Sequence, residues 1–437
     1  MKICVAGLWH LGSVTAGCLA AAGHDVTGFD PDPKVAASLQ AGKPPLFEPG
    51  LEELILQGIN CGLLRFTADR AVAMAAAEIV WVTFDTPVDD NDQADVESVV
   101  GNVEKLFPHL QSHTLVLISS QLPVGTTRRL ETAHALSYPA KQISFACSPE
   151  NLRLGKAISV FSQPDRVVVG IRNESDRNRI EAMLKPVTGR IEWMSVESAE
   201  MTKHAINGFL AASVVFANEI AVLCEAVGAD AQEVERGLKT DARIGPKAYL
   251  GPGAAFAGGT LARDISFLQT LGATASKNVR MLSAVRESND IHKGWTLQRI
   301  MDLTDNKLKG RRIALWGLTY KPGTDTLRRS ASVELCKRLT ESGAEVHAHD
   351  PAIKTIPPEL ASVITLHSSA LDAARGGDVL VVATEWPDYR QINAAEVVAA
   401  MRSATVVDAT RFLARTLGAD DRIEYVAVGR QVAGNAR

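Results

Sequence analysis

Short apolar runs rich in β-branched residues punctuate the first part of the chain: Ile3–Ala6, Asp25–Phe29, Ile79–Thr83, Leu115–Ser119, Ile143–Ala146 and Arg166–Gly170. Between them lie Ala- and Leu-rich stretches of helical length. Strands that are apolar throughout, rather than alternating, belong to a parallel sheet covered on both faces. The region therefore predicts a doubly wound α/β domain. From about Glu197 the period lengthens, with Met201, Ala205, Phe209, Ala212, Phe216 and Ile220 recurring every three or four residues. That spacing predicts helices with an apolar face, which suits packing within the chain or a subunit interface equally. After about residue 293 the strand pattern returns in Arg312–Trp316, Glu345–His349, Val379–Ala383, Thr405–Val407 and Tyr425–Val428. The expected fold is thus α/β, with two doubly wound parallel-sheet domains joined by a central helical domain. The boundaries fall at 1–196, 197–292 and 293–437.

Composition narrows the function classes. A chain of 437 residues exceeds what one hydrophobic core serves, and 46% apolar with 22% charged residues is ordinary for a globular protein. A net charge of -4 with both signs interspersed gives no electrostatic reason to expect nucleic acid or an anionic membrane as partner. The six cysteines (Cys4, Cys18, Cys61, Cys147, Cys224, Cys336) form no C-x-x-C pair, which argues against a zinc site or a disulfide framework. Free thiols in a reducing cytosol are expected. The chain opens on the strand-like Lys2–Ala6 rather than on a signal peptide. The apolar stretch Phe209–Val227 is broken by Asn218, Glu219 and Glu225, as suits a buried helix better than a membrane span. A cytoplasmic protein is expected.

Gly7-Leu8-Trp9-His10-Leu11-Gly12 sits between the first strand and a helix, and the next strand ends in Asp30. In a Rossmann fingerprint the glycines allow a tight turn, close approach of backbone to pyrophosphate, and close packing of helix on strand. Gly7, Trp9, His10, Leu11 and Gly12 are therefore expected to bind NAD. Asp30 would take the ribose hydroxyls and repel the extra phosphate of NADP. Trp9 replaces the middle glycine and narrows the approach, which leaves open a Rossmann-like domain that binds no dinucleotide. Asp350-Pro351 echoes Asp30-Pro31 at the end of a strand, so both sheet domains share a local plan.

The segment Pro252-Gly-Ala-Ala-Phe-Ala-Gly-Gly-Thr-Leu-Ala-Arg-Asp264 carries the most specific signal. It resembles the Pro-Gly-Phe-Gly-Phe-Gly-Gly-Ser-Cys-Phe-Pro-Lys-Asp active-site loop of the UDP-glucose/GDP-mannose dehydrogenase family, with Thr260 at the cysteine. The resemblance covers nearly the whole chain. Phe84-Asp-Thr-Pro87 stands where the family has Val-Gly-Thr-Pro, which places Asp85 beside the cofactor. Gln121-Leu-Pro-Val-Gly-Thr126 is similar to the family's Ser-Thr-x-Pro-Val-Gly-Thr, and Ser148-Pro-Glu-Asn-Leu-Arg-Leu154 to Ser-Pro-Glu-Phe-Leu-Arg-Glu. Glu197 to Asn207 matches a helix carrying a catalytic lysine and asparagine. Asp241 to Gly253 resembles a diphosphate-binding loop, and Gly317 to Ser330 resembles Gly-Leu-x-Phe-Lys-x-x-Thr-Asp-Asp-x-Arg-x-Ser. Glu385-Trp386 and Asp408 continue the match.

The resemblance implies a nucleotide-sugar substrate of the UDP-glucose kind, with NAD as cofactor and a homodimer built on the central helices. It adds Thr86 and Gln121 to the cofactor residues. It assigns catalysis to Lys203, Asn207, Asp264, Glu150 and the Thr260 position, and substrate binding to Leu152, Arg153, Arg243, Tyr249, Gly253, Lys321 and Arg328. Lys203 and Asn207 are four residues apart and so share a helix face. In the family the lysine stabilises charge on the oxidised oxygen and the aspartate matching Asp264 helps to activate water.

The family's cysteine captures an aldehyde so that a second hydride can leave from a tetrahedral adduct. A thiol of pKa about 8.5 is a ready nucleophile, whereas a threonine hydroxyl needs a dedicated base. Arg263 for lysine, Leu154 for glutamate and Gln121 for threonine alter the same region, so the site is rebuilt rather than missing one atom. Cys147, in a strand run, reads as an inert buried thiol rather than a displaced nucleophile. Two functions remain open at this point. One is NAD-dependent oxidation of a nucleotide-sugar alcohol without the thiohemiacetal step; the other is a non-catalytic nucleotide-sugar-binding homologue.

Overall fold

The computed structural model describes residues 1–89, 93–150, 152–257 and 259–430; Asn151 and Gly258, which belong to two of the motif stretches above, lie outside the described residues. The chain forms two compact units, Met1–Ile206 and Asn207–Arg437.

The first unit is built on an eight-stranded sheet in the order β3-β2-β1-β4-β5-β6-β7-β8. Its strands are β1 (Lys2–Ala6), β2 (Asp25–Phe29), β3 (Leu64–Thr67), β4 (Ile79–Val82), β5 (Leu115–Ile118), β6 (Ser144–Cys147), β7 (Val167–Ile171) and β8 (Ile191–Ser195). Successive residues feed opposite cores, as the two-residue period of a strand requires. Ile3, Val5, Ile79, Trp81, Leu115 and Leu117 enter one cluster, while Cys4, Ala6, Val80, Val82, Val116 and Ile118 enter the other. Both faces are thereby covered, which is why these strands read as continuous apolar runs. β1 lies between β2 and β4, so the strand order reverses direction at β1 and opens a crevice at the carboxyl ends.

Two strands escape the sequence pattern. β3 and β8 are the sheet's edges, only partly buried, and alternate as Leu-Arg-Phe-Thr and Ile-Glu-Trp-Met-Ser. The sheet also departs from a wholly parallel plan at one seam. β7 runs antiparallel to β6, with Cys147 opposite Gly170, while the other neighbouring strands of the sheet pair in parallel.

The second unit begins within the helix Val196–Val227 and continues through helices Ala231–Thr240, Thr260–Thr274, Arg280–His292 and Trp295–Leu303. A six-stranded sheet follows in the order β11-β10-β9-β12-β13-β14, all pairs parallel. Its strands are β9 (Arg312–Trp316), β10 (Glu345–His349), β11 (Thr365–Leu366), β12 (Val379–Val382), β13 (Thr405–Asp408) and β14 (Glu424–Val426).

The apolar periodicity of the long helix suited packing within the chain or a subunit interface, and its bulky positions Phe209 and Phe216 are 69% and 46% exposed. The face that packs inside the unit is made instead by Ala211, Val215, Asn218, Ala221 and Cys224. Small side chains let neighbouring elements come close, and the bulky stripe is turned outward with Leu223 and Val227. By length and apolar composition alone this helix would pass as a membrane span.

The two sheets repeat one turn. Gly7 N–H donates to the Phe29 carbonyl at 2.8 Å, and Gly317 N–H to that of His349 at 2.8 Å. Leu8 N–H donates to Asp30 Oδ2 at 2.9 Å, and Leu318 N–H to Asp350 Oδ2 at 2.7 Å. The shared plan inferred from the two Asp-Pro pairs is thus a shared set of hydrogen bonds.

Candidate active site

The turn after β1 is shaped for a dinucleotide. Gly7 has φ 99°, and a Cβ there would lie 2.5 Å from Phe84 Cα. A Cβ on Gly12 would lie 1.8 Å from the Gly7 carbonyl oxygen, so no side chain fits without moving the helix off the strand. Trp9 is different. Its φ of -71° suits any residue, it takes the N-cap position of helix His10–Ala21 without a side-chain cap, and its side chain is half-exposed. The conformation therefore makes no demand for glycine at position 9. The helix starts with uncapped N–H groups and no acidic residue in its first turn, which fits a pyrophosphate. Asp30 is half-buried, with Oδ2 accepting from Leu8 N–H and Oδ1 from Asp32 N–H at 3.0 Å. Those bonds fix the carboxylate at the end of β2, where ribose hydroxyls are read in such turns. The residues present thus fit NAD.

The loops after β4 and β5 are joined by Thr86, whose buried hydroxyl donates to the Gln121 carbonyl at 2.8 Å. Asp85, beside it, is exposed. The Gln121–Thr126 stretch is anchored from the long helix by Glu200, a residue the sequence reading passed over. Its carboxylate accepts from Gly125 N–H at 2.6 Å, Thr127 N–H at 3.0 Å and the Thr127 hydroxyl at 2.6 Å. Gly125 offers no side chain to cap helix Thr126–Ser137, and Glu200 supplies the acceptor instead.

One turn along the same helix, Lys203 Nζ donates to the Glu150 carbonyl at 2.7 Å and lies 3.5 Å from Glu150 Oε1. Glu150 Oε2 accepts from Leu152 N–H at 2.7 Å. A cavity beside this contact is lined by Ser120, Gln121, Cys147, Glu150, Glu200 and Lys203, among others. Burial, reinforced by Glu200, pushes the Cys147 thiol well above the ordinary range. It stays protonated and is no substitute nucleophile. Leu152 is half-buried and Arg153 exposed.

In the second unit Asn207 and Asp264 are buried together, the Asn207 amide donating to Asp264 Oδ2. Thr260 is the first residue of helix Thr260–Thr274, exposed, after Gly259 at φ 100°. The loop leading to it is held by polar side chains. Asn218 accepts from Gly253 N–H at 2.9 Å, and Asn289 both accepts from Phe256 N–H and donates to its carbonyl at 2.9 Å. His292 Nε2 donates to the Gly253 carbonyl at 2.8 Å. Asn218 had a signal, being polar in an apolar helical run; Asn289 and His292 had none. Of the proposed substrate residues, Gly253 is buried in this clamp. Arg243 is exposed and paired with Asp241, with bonds of 3.0 and 2.7 Å, and Tyr249 is 60% exposed. Lys321 is half-buried and Arg328 exposed.

A carbonyl can only accept, so His292 carries its proton on Nε2. Burial lowers its pKa below the usual imidazole value of about 6.5. The unfolded chain then binds the extra proton first, so stability is full above about pH 6.5 and is lost as pH falls through and below it. His292→Gln is expected to flatten the fall in Tm between about pH 7.5 and about pH 5.5. An unchanged slope would assign the acid sensitivity to other buried histidines.

A dinucleotide turn in the first of two doubly wound sheets, with a central helix carrying lysine and asparagine, defines a Rossmann-type chain with a cofactor-binding N-terminal region. The chain belongs to the UDP-glucose/GDP-mannose dehydrogenase family: residues 1–188 match its NAD binding domain, 197–291 its central domain and 314–415 its UDP binding domain. It is 32% identical over 450 residues to the UDP-glucose 6-dehydrogenase of Pseudomonas aeruginosa, covering 100% of this chain and 99% of that one. With the UDP-glucose 6-dehydrogenase of Rhizobium meliloti it shares 32% identity over 98% of this chain and 100% of that one. A solved UDP-glucose dehydrogenase from Pyrobaculum islandicum superposes with a TM-score of 0.87 at 29% identity, covering 98% of each chain.

Proposed function

We propose that this chain oxidises an alcohol carbon of a nucleotide sugar of the UDP-glucose kind with NAD as acceptor, and does so without a covalent thiohemiacetal. The observations that carry the reading are made within each unit: Lys203 bonded to Glu150 in the first, and in the second Asn207 bonded to Asp264 on the helix that Thr260 opens. NAD supplies the hydride acceptor when bound. As the hydride leaves, the hydroxyl proton passes to solvent water, and the Lys203 ammonium offsets the negative charge this leaves on the oxygen being oxidised. Asp264, oriented by the Asn207 amide, accepts a proton from water that adds to a carbonyl carbon. Such a site can stop at the carbonyl after one hydride transfer. It can also pass through the aldehyde hydrate, formed by addition of one water, to the acid after a second. In this reading residues 1–196 bind NAD, 197–292 form the helical, dimerising centre, and 293–437 bind the nucleotide sugar. The outward stripe of Phe209, Phe216, Leu223 and Val227 supports a homodimer. A cytoplasmic place, where NAD is available, and a role in supplying polysaccharide precursors go with it.

A second reading is favoured by Trp9 at the middle-glycine position, by Thr260 and by the exposed Asp85 near the cofactor loops: a nucleotide-sugar-binding homologue without turnover. NADH formation across a panel of UDP- and GDP-sugars, with mass analysis of the product, separates the two. One NADH per sugar with a carbonyl product, or two with an acid, is the expected result. No turnover, with sugar binding intact and NAD binding absent, would establish the binding protein.

A further inference from the structure

Within Met1–Ile206 the cofactor turn and the loop bearing Glu150 are far apart in sequence, yet one carboxylate holds both. Glu48 is 3% exposed. Its Oε2 accepts from His10 Nε2 at 2.9 Å and from Gly155 N–H at 2.8 Å, and its Oε1 accepts from Ala157 N–H at 2.8 Å. A carboxylate this deeply buried persists only where donors replace its water, and here the donors come from two different functional segments. His10 is the first residue of helix His10–Ala21, at the N-terminus that fits the pyrophosphate. Gly155 and Ala157 end the loop that starts at Glu150, and Ala157 N–H opens helix Ala157–Ser162, whose own N-cap, Lys156, offers no acceptor.

We propose that Glu48 is a positioning residue that ties the cofactor turn to the Glu150 loop, so that occupancy of the dinucleotide site orders residues 152–157. The proposal rests on the turn being an NAD site, and is independent of which sugar is oxidised. Ordering the turn holds His10 in place, His10 holds Glu48, and Glu48 holds two loop amides. A nucleotide sugar that meets an ordered loop has less entropy to lose on binding, which is positive coupling between the two ligands. By linkage the sugar must then favour NAD to the same degree.

Amide hydrogen exchange of residues 152–157 tests this without any sugar present. Saturating NAD is expected to slow exchange there by about tenfold in the wild-type chain, the size of effect that a modest gain in local stability produces. In Glu48→Gln and in His10→Phe, with NAD again saturating, the slowing is expected to disappear. His10→Phe is the sharper variant, because it leaves Glu48 bonded to Gly155 and Ala157, and since His10 stands in the cofactor turn its NAD affinity is titrated first so that saturation is assured. A role confined to fold stability would raise exchange in Glu48→Gln with and without NAD alike. Equal NAD-dependent slowing in wild type and His10→Phe, or none in a wild type shown to bind NAD, would overturn the coupling. A wild type that binds no NAD would instead defeat the cofactor reading, and the coupling with it.

Discussion

Lys203→Ala is expected to lower kcat by about 10²- to 10³-fold, the usual cost of removing one positioned charge that meets a developing negative oxygen. Nucleotide-sugar affinity should change far less, because the ammonium matters most when that charge appears. The fold should survive. Lys203 gives up one hydrogen bond to the Glu150 carbonyl and a contact of 3.5 Å to its carboxylate, which is 22% exposed and can take water instead. Initial rates, sugar titrations and a thermal melt on one preparation decide the matter. A parallel loss of melting temperature would make Lys203 a structural strut, and unchanged turnover would remove it from the reaction.

The largest effect on stability is expected in the second unit, at Asp350→Ala. Asp350 is 1% exposed. It accepts from Leu318 N–H at 2.7 Å, Thr319 N–H at 3.0 Å, Ala352 N–H at 2.9 Å and the Trp386 indole at 3.1 Å. Alanine would strand these donors in the interior at about 1–3 kcal/mol for each that water cannot reach, so a loss of about 3 kcal/mol or more is expected. Urea unfolding followed by far-UV circular dichroism measures it. The matching Asp30→Ala should cost less stability, because Asp30 is half-buried and holds fewer partners. It should weaken NAD binding instead. The two carboxylates occupy the same place in the same turn, but Asp350 is buried and bonded to the Trp386 indole, whereas Asp30 is half-buried.

The sequence made most of the fold readable, for a physical reason. Strands covered on both faces must be apolar throughout, so β1, β2, β4, β5, β6, β7, β9, β12 and β13 stood out, while the partly polar β10 and the edge strand β14 were legible from fewer apolar positions. β3 and β8 alternate because they are edges, and β11 spans only Thr365–Leu366, so these three did not stand out. On the long helix the periodicity was real but its direction was not given. Phe209 and Phe216 mark an apolar stripe, and only packing shows that Ala211 and Val215 face inward. The site divides in the same way. Gly7, Gly12 and Asp30 are legible because backbone geometry demands them, and Lys203, Asn207 and Asp264 because they stand in ordered motifs. Glu48, Glu200, Asn289 and His292 act on backbone groups distant in sequence, and no local pattern announces such bonds. At Trp9 the φ of -71° removes any conformational demand for glycine, while the closeness of the pyrophosphate approach is set by the side chain itself.

The antiparallel seam between β6 and β7 has a consequence for how such a chain can change over evolution. A parallel neighbour would oblige the connection to travel to the opposite edge of the sheet and return. Because β7 reverses, residues 148–166 leave and re-enter at the same edge, the carboxyl edge that faces the cofactor turn. Lengthening, shortening or rewriting that excursion leaves the far side of the sheet untouched. Within it, the change of glutamate to Leu154 stands just before the Gly155 and Ala157 amides that buried Glu48 holds, so the excursion has room for rewriting only where it is not tied to the core.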